Sequence, residues 1–174
     1  MHILIQVLLA LIARRWGDWI HWRNYYPTIL FLIIGDLLYN FVNYNYSLWT
    51  FHPDRIEDII YRNHTLITLG IYLIGYPSLV LLYLGNYPET KKNKQFLYVT
   101  AWVLLFSMIE AISHFLVKGI TYSNGWSYWW SLLFFIFVFI ILRVHYLRPL
   151  LAWTISIVVI LLWICFGVPV QTMK

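Results

Sequence analysis

Residues 95–117 read QFLYVTAWVLLFSMIEAISHFLV, and their reading decides the fold. At about 1.5 Å per residue this run makes a helix of roughly 35 Å, long enough to cross a hydrocarbon core of about 30 Å. It is apolar almost throughout, yet near its end Glu110 and His114 stand at i,i+4, on one helical face. Ionisable groups are expensive at such depth, so any specific function is expected to touch this pair.

The rest of the chain has the same character. Of 174 residues, 61% are hydrophobic and 11% charged, with a mean hydropathy of +0.70; a soluble domain carries about 25% charged residues. An integral membrane protein is implied. Spans of about 20 residues with short connections use up this length, so residues 1–174 are expected to form a single all-α transmembrane domain. The expected bundle has five spanning helices plus a short N-terminal half-helix.

Taken in order, the apolar residues 2–13 are too few to cross and read as a half-helix, re-entrant or lying in the interface. A cleaved signal peptide would need basic residues before the apolar run, whereas Arg14 and Arg15 follow it. Residues 14–26 mix arginines with Trp16, Trp19, Trp22, Tyr25 and Tyr26, as headgroup-level segments do. The spans are expected at about 28–46, 65–85, 95–117, 126–146 and 150–168. Pro27 suits a helix start, Pro53-Asp54 could start a short surface helix, and Ser123-Asn124-Gly125 marks a turn. The last span carries no charge and is expected at the lipid-facing periphery.

Twelve cations oppose seven acids, and in such a chain they act as a threading code rather than as a nucleic-acid surface. Arg14, Arg15, Arg23, Lys91, Lys92, Lys94, Arg143 and Arg148 fall on one side; Arg55, Arg62, Lys118 and Lys174 fall on the other. The richer side is expected to be cytoplasmic. No nucleic-acid partner follows from the basic balance. The single cysteine, Cys165, permits no intrachain disulfide and no Cys-based metal motif.

Polar residues gather into stripes at about 100° per residue. Asp36, Asn40 and Asn43 share one face of the first span; Thr65, Thr68, Tyr72, Tyr76 and Tyr83 share one of the second; Thr100, Ser107, Glu110 and His114 share one of the third. Depth brings Asp36, Asn40, Asn43, Thr68, Tyr72, Glu110 and His114 into one candidate polar pocket in the outer half. Glu110 would accept a proton or hold a cation, with His114 as its hydrogen-bonded partner. The same groups could instead do no more than bond helix to helix, at about 0.6 kcal/mol each. Half of a metal site is a third reading, with His52 or His64 completing it, but no metal motif is present and neither metal nor cofactor is assigned. Arg143 and Arg148 are placed to meet lipid headgroups. The leading function is non-enzymatic binding or transport of a small solute, proton or lipid. The alternative is a membrane enzyme acting on a lipid-linked substrate through Glu110 and His114. A membrane protein partner or homo-oligomer is compatible with either.

The segments Trp22-Arg23-Asn24-Tyr25-Tyr26-Pro27-Thr28, Gly35-Asp36-Leu37-Leu38-Tyr39, Leu48-Trp49-Thr50-Phe51, Asn124-Gly125-Trp126 and Trp129-Trp130-Ser131-Leu132 carry a resemblance. With them the chain resembles a family of small multi-pass membrane proteins of Bacillus- and Clostridium-type bacteria. The resemblance implies a bacterial plasma membrane and brings no catalytic residues. The threading is tested by reporter fusions: one after Lys94 should report the cytoplasm and one after Lys118 the outside, and the opposite pair of signals overturns it.

Overall fold

The computed structural model describes residues 2–53, 63–167 and 169. Among them are six helices, α1 (His2–Trp16), α2 (Trp22–Val42), α3 (His64–Gly85), α4 (Lys92–Val117), α5 (Tyr128–Leu147) and α6 (Pro149–Phe166), and two three-residue strands, β1 (Trp49–Phe51) and β2 (Ile120–Tyr122). The protein is an all-α helical bundle. Helices α2 to α5 are long and apolar enough to cross a membrane, whereas the apolar run Pro149–Cys165 of α6 is shorter.

The helices run alternately between two ends. His2 begins α1 with its ring 5.4 Å from that of Phe51 in β1. At the far end, the Asp18 N–H donates to Leu81 O at 3.4 Å and Asn86 Nδ2 donates to Trp16 O at 2.9 Å. Helix α1 therefore lies along α3 in the same direction, reaching from the sheet to the last turn of α3. The sequence suggested a re-entrant or surface-lying piece. What keeps this short helix among the others is packing, with Ala13 fully buried and His2 and Gln6 nearly so.

The flat interfacial segment expected at 14–26 is replaced by continued helix on both sides of a tight turn at 17–21. Its Asp18 accepts from Tyr25 Oη at 2.8 Å and pairs with His21 Nδ1 at 2.9 Å. Partial burial pushes the Asp18 carboxyl up, but the Tyr25 and His21 hydrogen bonds outweigh it and hold the group below its ordinary range. Pro27 lies inside α2 rather than at its start. The bond it forgoes belongs to the headgroup-level turns, where water can serve the freed carbonyl.

Two departures from regular helix have local causes. Asn63 caps α3, its side chain accepting from the Leu66 N–H at 3.0 Å. Within α3, residues Ile71–Gly75 form a π-helical turn just before Pro77. Proline offers no N–H and crowds the carbonyl four residues back, so widening the preceding turn relieves the clash. Residues Ile112–Val117 end α4 in a second π stretch, closed by Lys118 in the left-handed region at φ 57°.

The strands pair antiparallel, Trp49 with Tyr122, Thr50 with Thr121 and Phe51 with Ile120. They join the α2–α3 and α4–α5 connections into one roof, extended by Ser123 N–H to Leu48 O at 2.9 Å and Asn124 Nδ2 to Ser47 O at 2.8 Å. We call this the roofed end. The surface helix expected to begin at 53–54 falls on residues outside those described. The opposite, basic end gathers Arg14, Arg15, Arg23, the lysines at 91, 92 and 94, and the one-residue α5–α6 corner at Arg148, extended because Pro149 follows it.

The core near the basic end is aromatic. Tyr83, fully buried, donates to Phe139 O at 2.8 Å, and its ring meets Tyr98, Trp102 and Phe139 at 5.6, 5.9 and 5.0 Å. Large apolar side chains such as Phe96, Leu104, Phe115, Leu133 and Leu150 instead face outward, as a lipid environment permits. Phe139→Ala should therefore cost about 3–5 kcal/mol in unfolding assays. Phe96→Ala, on the outer surface, should cost under about 0.5 kcal/mol.

Candidate functional site

Below the roof the helices surround a partly open cavity of about 480 Å³ whose lining is overwhelmingly apolar. Phe31, Leu79, Phe135, Phe139, Ile141 and Trp153 line its basic-end half, and Trp49, Phe51 and Ile120 of the two strands close it above. Among the described residues no lysine or arginine lines it, whereas two carboxyls do, Asp36 from α2 and Glu110 from α4.

The two carboxyls have different company. Asp36 accepts from Tyr76 Oη at 2.7 Å on one oxygen and from Asn40 Nδ2 at 3.2 Å on the other, and Asn40 Nδ2 also reaches Tyr72 Oη at 3.1 Å. The π turn ending at Gly75 sets Tyr72 and Tyr76 toward this group; their rings lie 5.8 Å apart. Both oxygens of Asp36 are engaged by protein. Glu110 accepts from Tyr122 Oη at 2.5 Å on one oxygen and has the Ser131 hydroxyl as a second hydrogen-bonding neighbour, while a carboxylate has about four lone-pair sites. Acceptor capacity is left over there. One turn along α4, Ser113 lines the same cavity; the residue is 1% exposed, and its hydroxyl, beside Gly119, has no hydrogen-bond partner among the described residues.

His114 is placed differently from the expectation. Its Nδ1 bonds Ile120 O at 3.0 Å, its ring stacks on Tyr122 at 4.1 Å, and it does not line the cavity. Glu110 and His114 thus share Tyr122 instead of bonding each other. Burial, followed by the hydrogen bond to Glu110, pushes the Tyr122 phenol above its ordinary range, so it remains a donor. The pocket expected from sequence divides further. Asn40 and Tyr72 join Asp36; Thr68 donates to His64 O of its own helix at 2.9 Å; Asn43 lines the cavity's roofed edge and accepts from Trp163 Nε1 at 3.1 Å. His52 and His64 serve the roof, through Thr121 Oγ1 at 2.8 Å and the Phe51 N–H at 3.1 Å. Among the described residues no three His, Cys, Asp or Glu side chains gather as a metal site.

At the basic end Arg143 is 12% exposed, stacked over Tyr87 at 4.2 Å and paired with Glu89 at 2.9 Å. It is an internal tie. Of the two arginines read as headgroup contacts, Arg148 is the exposed one. His145, near it in sequence, is buried: its Nδ1 shares a 2.9 Å bond with Thr28 Oγ1 and its ring stacks on Phe31 at 4.3 Å.

One wall of the cavity is thin. Helix α6 packs along α5 and touches α2 through two tryptophans. Trp153 meets Phe31 edge-on at 4.8 Å, and Trp163 bonds Asn43. Between these posts, about 15 Å apart along α6, Leu38 and Ile157 line the cavity and are also 38% and 50% exposed on the outer surface. At this wall the residues that line the cavity are themselves exposed. Gly35 sits on the α2 wall, where an added Cβ would meet nothing within 4 Å.

No family model, curated protein or solved structure matches the chain. The chemistry of the cavity is what bears on function.

Sequence reasoning missed Tyr122 and Ser113, and it placed Tyr76 on the polar stripe of the second span without including it in the pocket. The signal for Tyr76 was its place on the Thr65–Tyr72 stripe, and for Ser113 its position one turn from Glu110; Tyr122 came from a presumed loop. The tie between Glu110 and Tyr122 yields a stability test. Glu110→Leu leaves a half-buried phenol unsatisfied and should cost about 1–3 kcal/mol, whereas Glu110→Gln keeps an acceptor and should cost under about 1 kcal/mol. Thermal unfolding in detergent measures both.

Proposed function

We propose that this membrane protein binds an amphipathic molecule of the bilayer in its central cavity and does so without chemical conversion. The observation that carries the reading is the pairing of about 480 Å³ of aromatic and aliphatic lining with a few convergent polar groups beneath the roof. Cavities of roughly 300–1,000 Å³ with that composition are the usual form of small-molecule sites. The thin α2–α6 wall supports a membrane source for the occupant, since only side chains would have to move. A proton relay is less well supported, because Asp36 and Glu110 belong to separate hydrogen-bonded groups. The enzymatic alternative through Glu110 and His114 loses its second residue, which is tied to Ile120 O outside the cavity.

We further propose a bacterial plasma membrane as the setting, with the basic end cytoplasmic. The sequence resemblance supports the first, and the collection of cations at one end supports the second.

Gly35→Trp provides the test, because it fills the cavity from a position with open space. Native mass spectrometry of wild-type protein extracted with its own lipids should show a retained small molecule, and Gly35→Trp, at unchanged melting temperature, should lose it. Equal retention by both proteins overturns the reading.

A further inference from the structure

Resting on the proposed cavity-binding role, we infer that the occupant is a single-chain amphiphile headed by a hydroxyl group and free of negative charge. The head would lie beneath the roof, where Glu110 and Ser113 stand one turn apart on α4 and both line the cavity. Their chemistry is complementary to an alcohol. Glu110 has acceptor capacity beyond its bond from Tyr122, and a ligand hydroxyl can donate to it. The Ser113 hydroxyl, buried and without a partner among the described residues, can donate back to the same ligand oxygen. Binding would satisfy a polar group otherwise left unpaired in an apolar setting, which is worth more than adding a bond in water.

Charge narrows the class. An anionic head would be desolvated in a space lined by two carboxyls and, among the described residues, by no lysine or arginine. Glu110 rather than Asp36 is assigned as the anchor because Ser113 stands one turn from it on the same cavity wall. The tail is accommodated below the head, where Phe31, Leu79, Phe139, Ile141 and Trp153 present no charged group. The limited volume favours one chain over a two-chain lipid.

The probes are oleyl alcohol and oleic acid, which share a chain length and differ in the head. Purified protein is reconstituted in neutral phospholipid vesicles containing both in equal amounts, and retained molecules are read by native mass spectrometry. Wild-type protein should retain oleyl alcohol over oleic acid by about tenfold, the value of one well-made buried polar interaction. Glu110→Gln should bring that ratio towards unity. Ser113→Ala should lower alcohol retention severalfold at unchanged melting temperature. Preference for oleic acid, or a ratio unmoved by Glu110→Gln, overturns the assignment of the head. If wild type instead retains a vesicle phospholipid that Gly35→Trp loses, the cavity reading stands and the hydroxyl-headed class falls. If Gly35→Trp retains oleyl alcohol as well as wild type does, the cavity itself is not where it binds.

Discussion

The two-stranded ladder between Trp49–Phe51 and Ile120–Tyr122 is the constraint on which the rest of the site depends. Strand backbone carries unpaired N–H and C=O groups that lipid cannot satisfy, so such a segment is tolerable only at the end of a bundle or covered by protein. Pairing two connections solves that problem for both. The same act places Tyr122 over Glu110, seats Ile120 O against His114, and sets Trp49, Phe51 and Ile120 as the ceiling of an apolar space. Without the ladder, Glu110 would be a carboxyl at lipid depth with no phenol bonded to it.

The remaining structure fits round this ceiling by dividing labour between the two ends. Near the basic end the interior is solid, filled by Tyr83, Tyr98, Trp102 and Phe139, with Arg143 held between aromatic faces and Glu89. Toward the roof the helices diverge around the cavity. Packing of this kind suits a protein that must hold its helices together without help from water: van der Waals contact and interhelical hydrogen bonds act in lipid, whereas hydrophobic exclusion between helices is largely absent. The Thr28–His145 and Tyr83–Phe139 bonds join distant helices within the solid half.

Much of this could be read from residue patterns, for reasons that also mark the limit. Apolar runs of 20 residues announce helices because only helices and closed barrels satisfy backbone groups in lipid, and the runs around Asp36, Tyr72, Glu110 and Phe139 are of that kind. The polar faces of α2 and α3 were legible from a 100° period, so Asp36, Asn40 and Tyr72 emerge together. The strands were not, since three residues are too few to display alternation, although Ile120-Thr121-Tyr122 has the β-branched and aromatic composition of a strand. Helix α1 was read as too short to be a full member because length was judged alone, whereas its place is fixed by contact with α3. Tyr76 stands on the polar stripe of the second span by the same period, and its bond to Asp36 follows the π turn before Pro77.

The ladder also fixes an order of events during synthesis. Its partners are about seventy residues apart in the chain, with α3 and α4 between them. When the ribosome has released β1, no complement yet exists, and the entropy of closing so long a loop must be met before any strand bond forms. The nascent bundle therefore passes through a stage with its upper end uncovered, and maturation ends with a capping step that follows the arrival of β2. A molecule resident among the first helices at that stage would be enclosed by the completed chain rather than admitted to it.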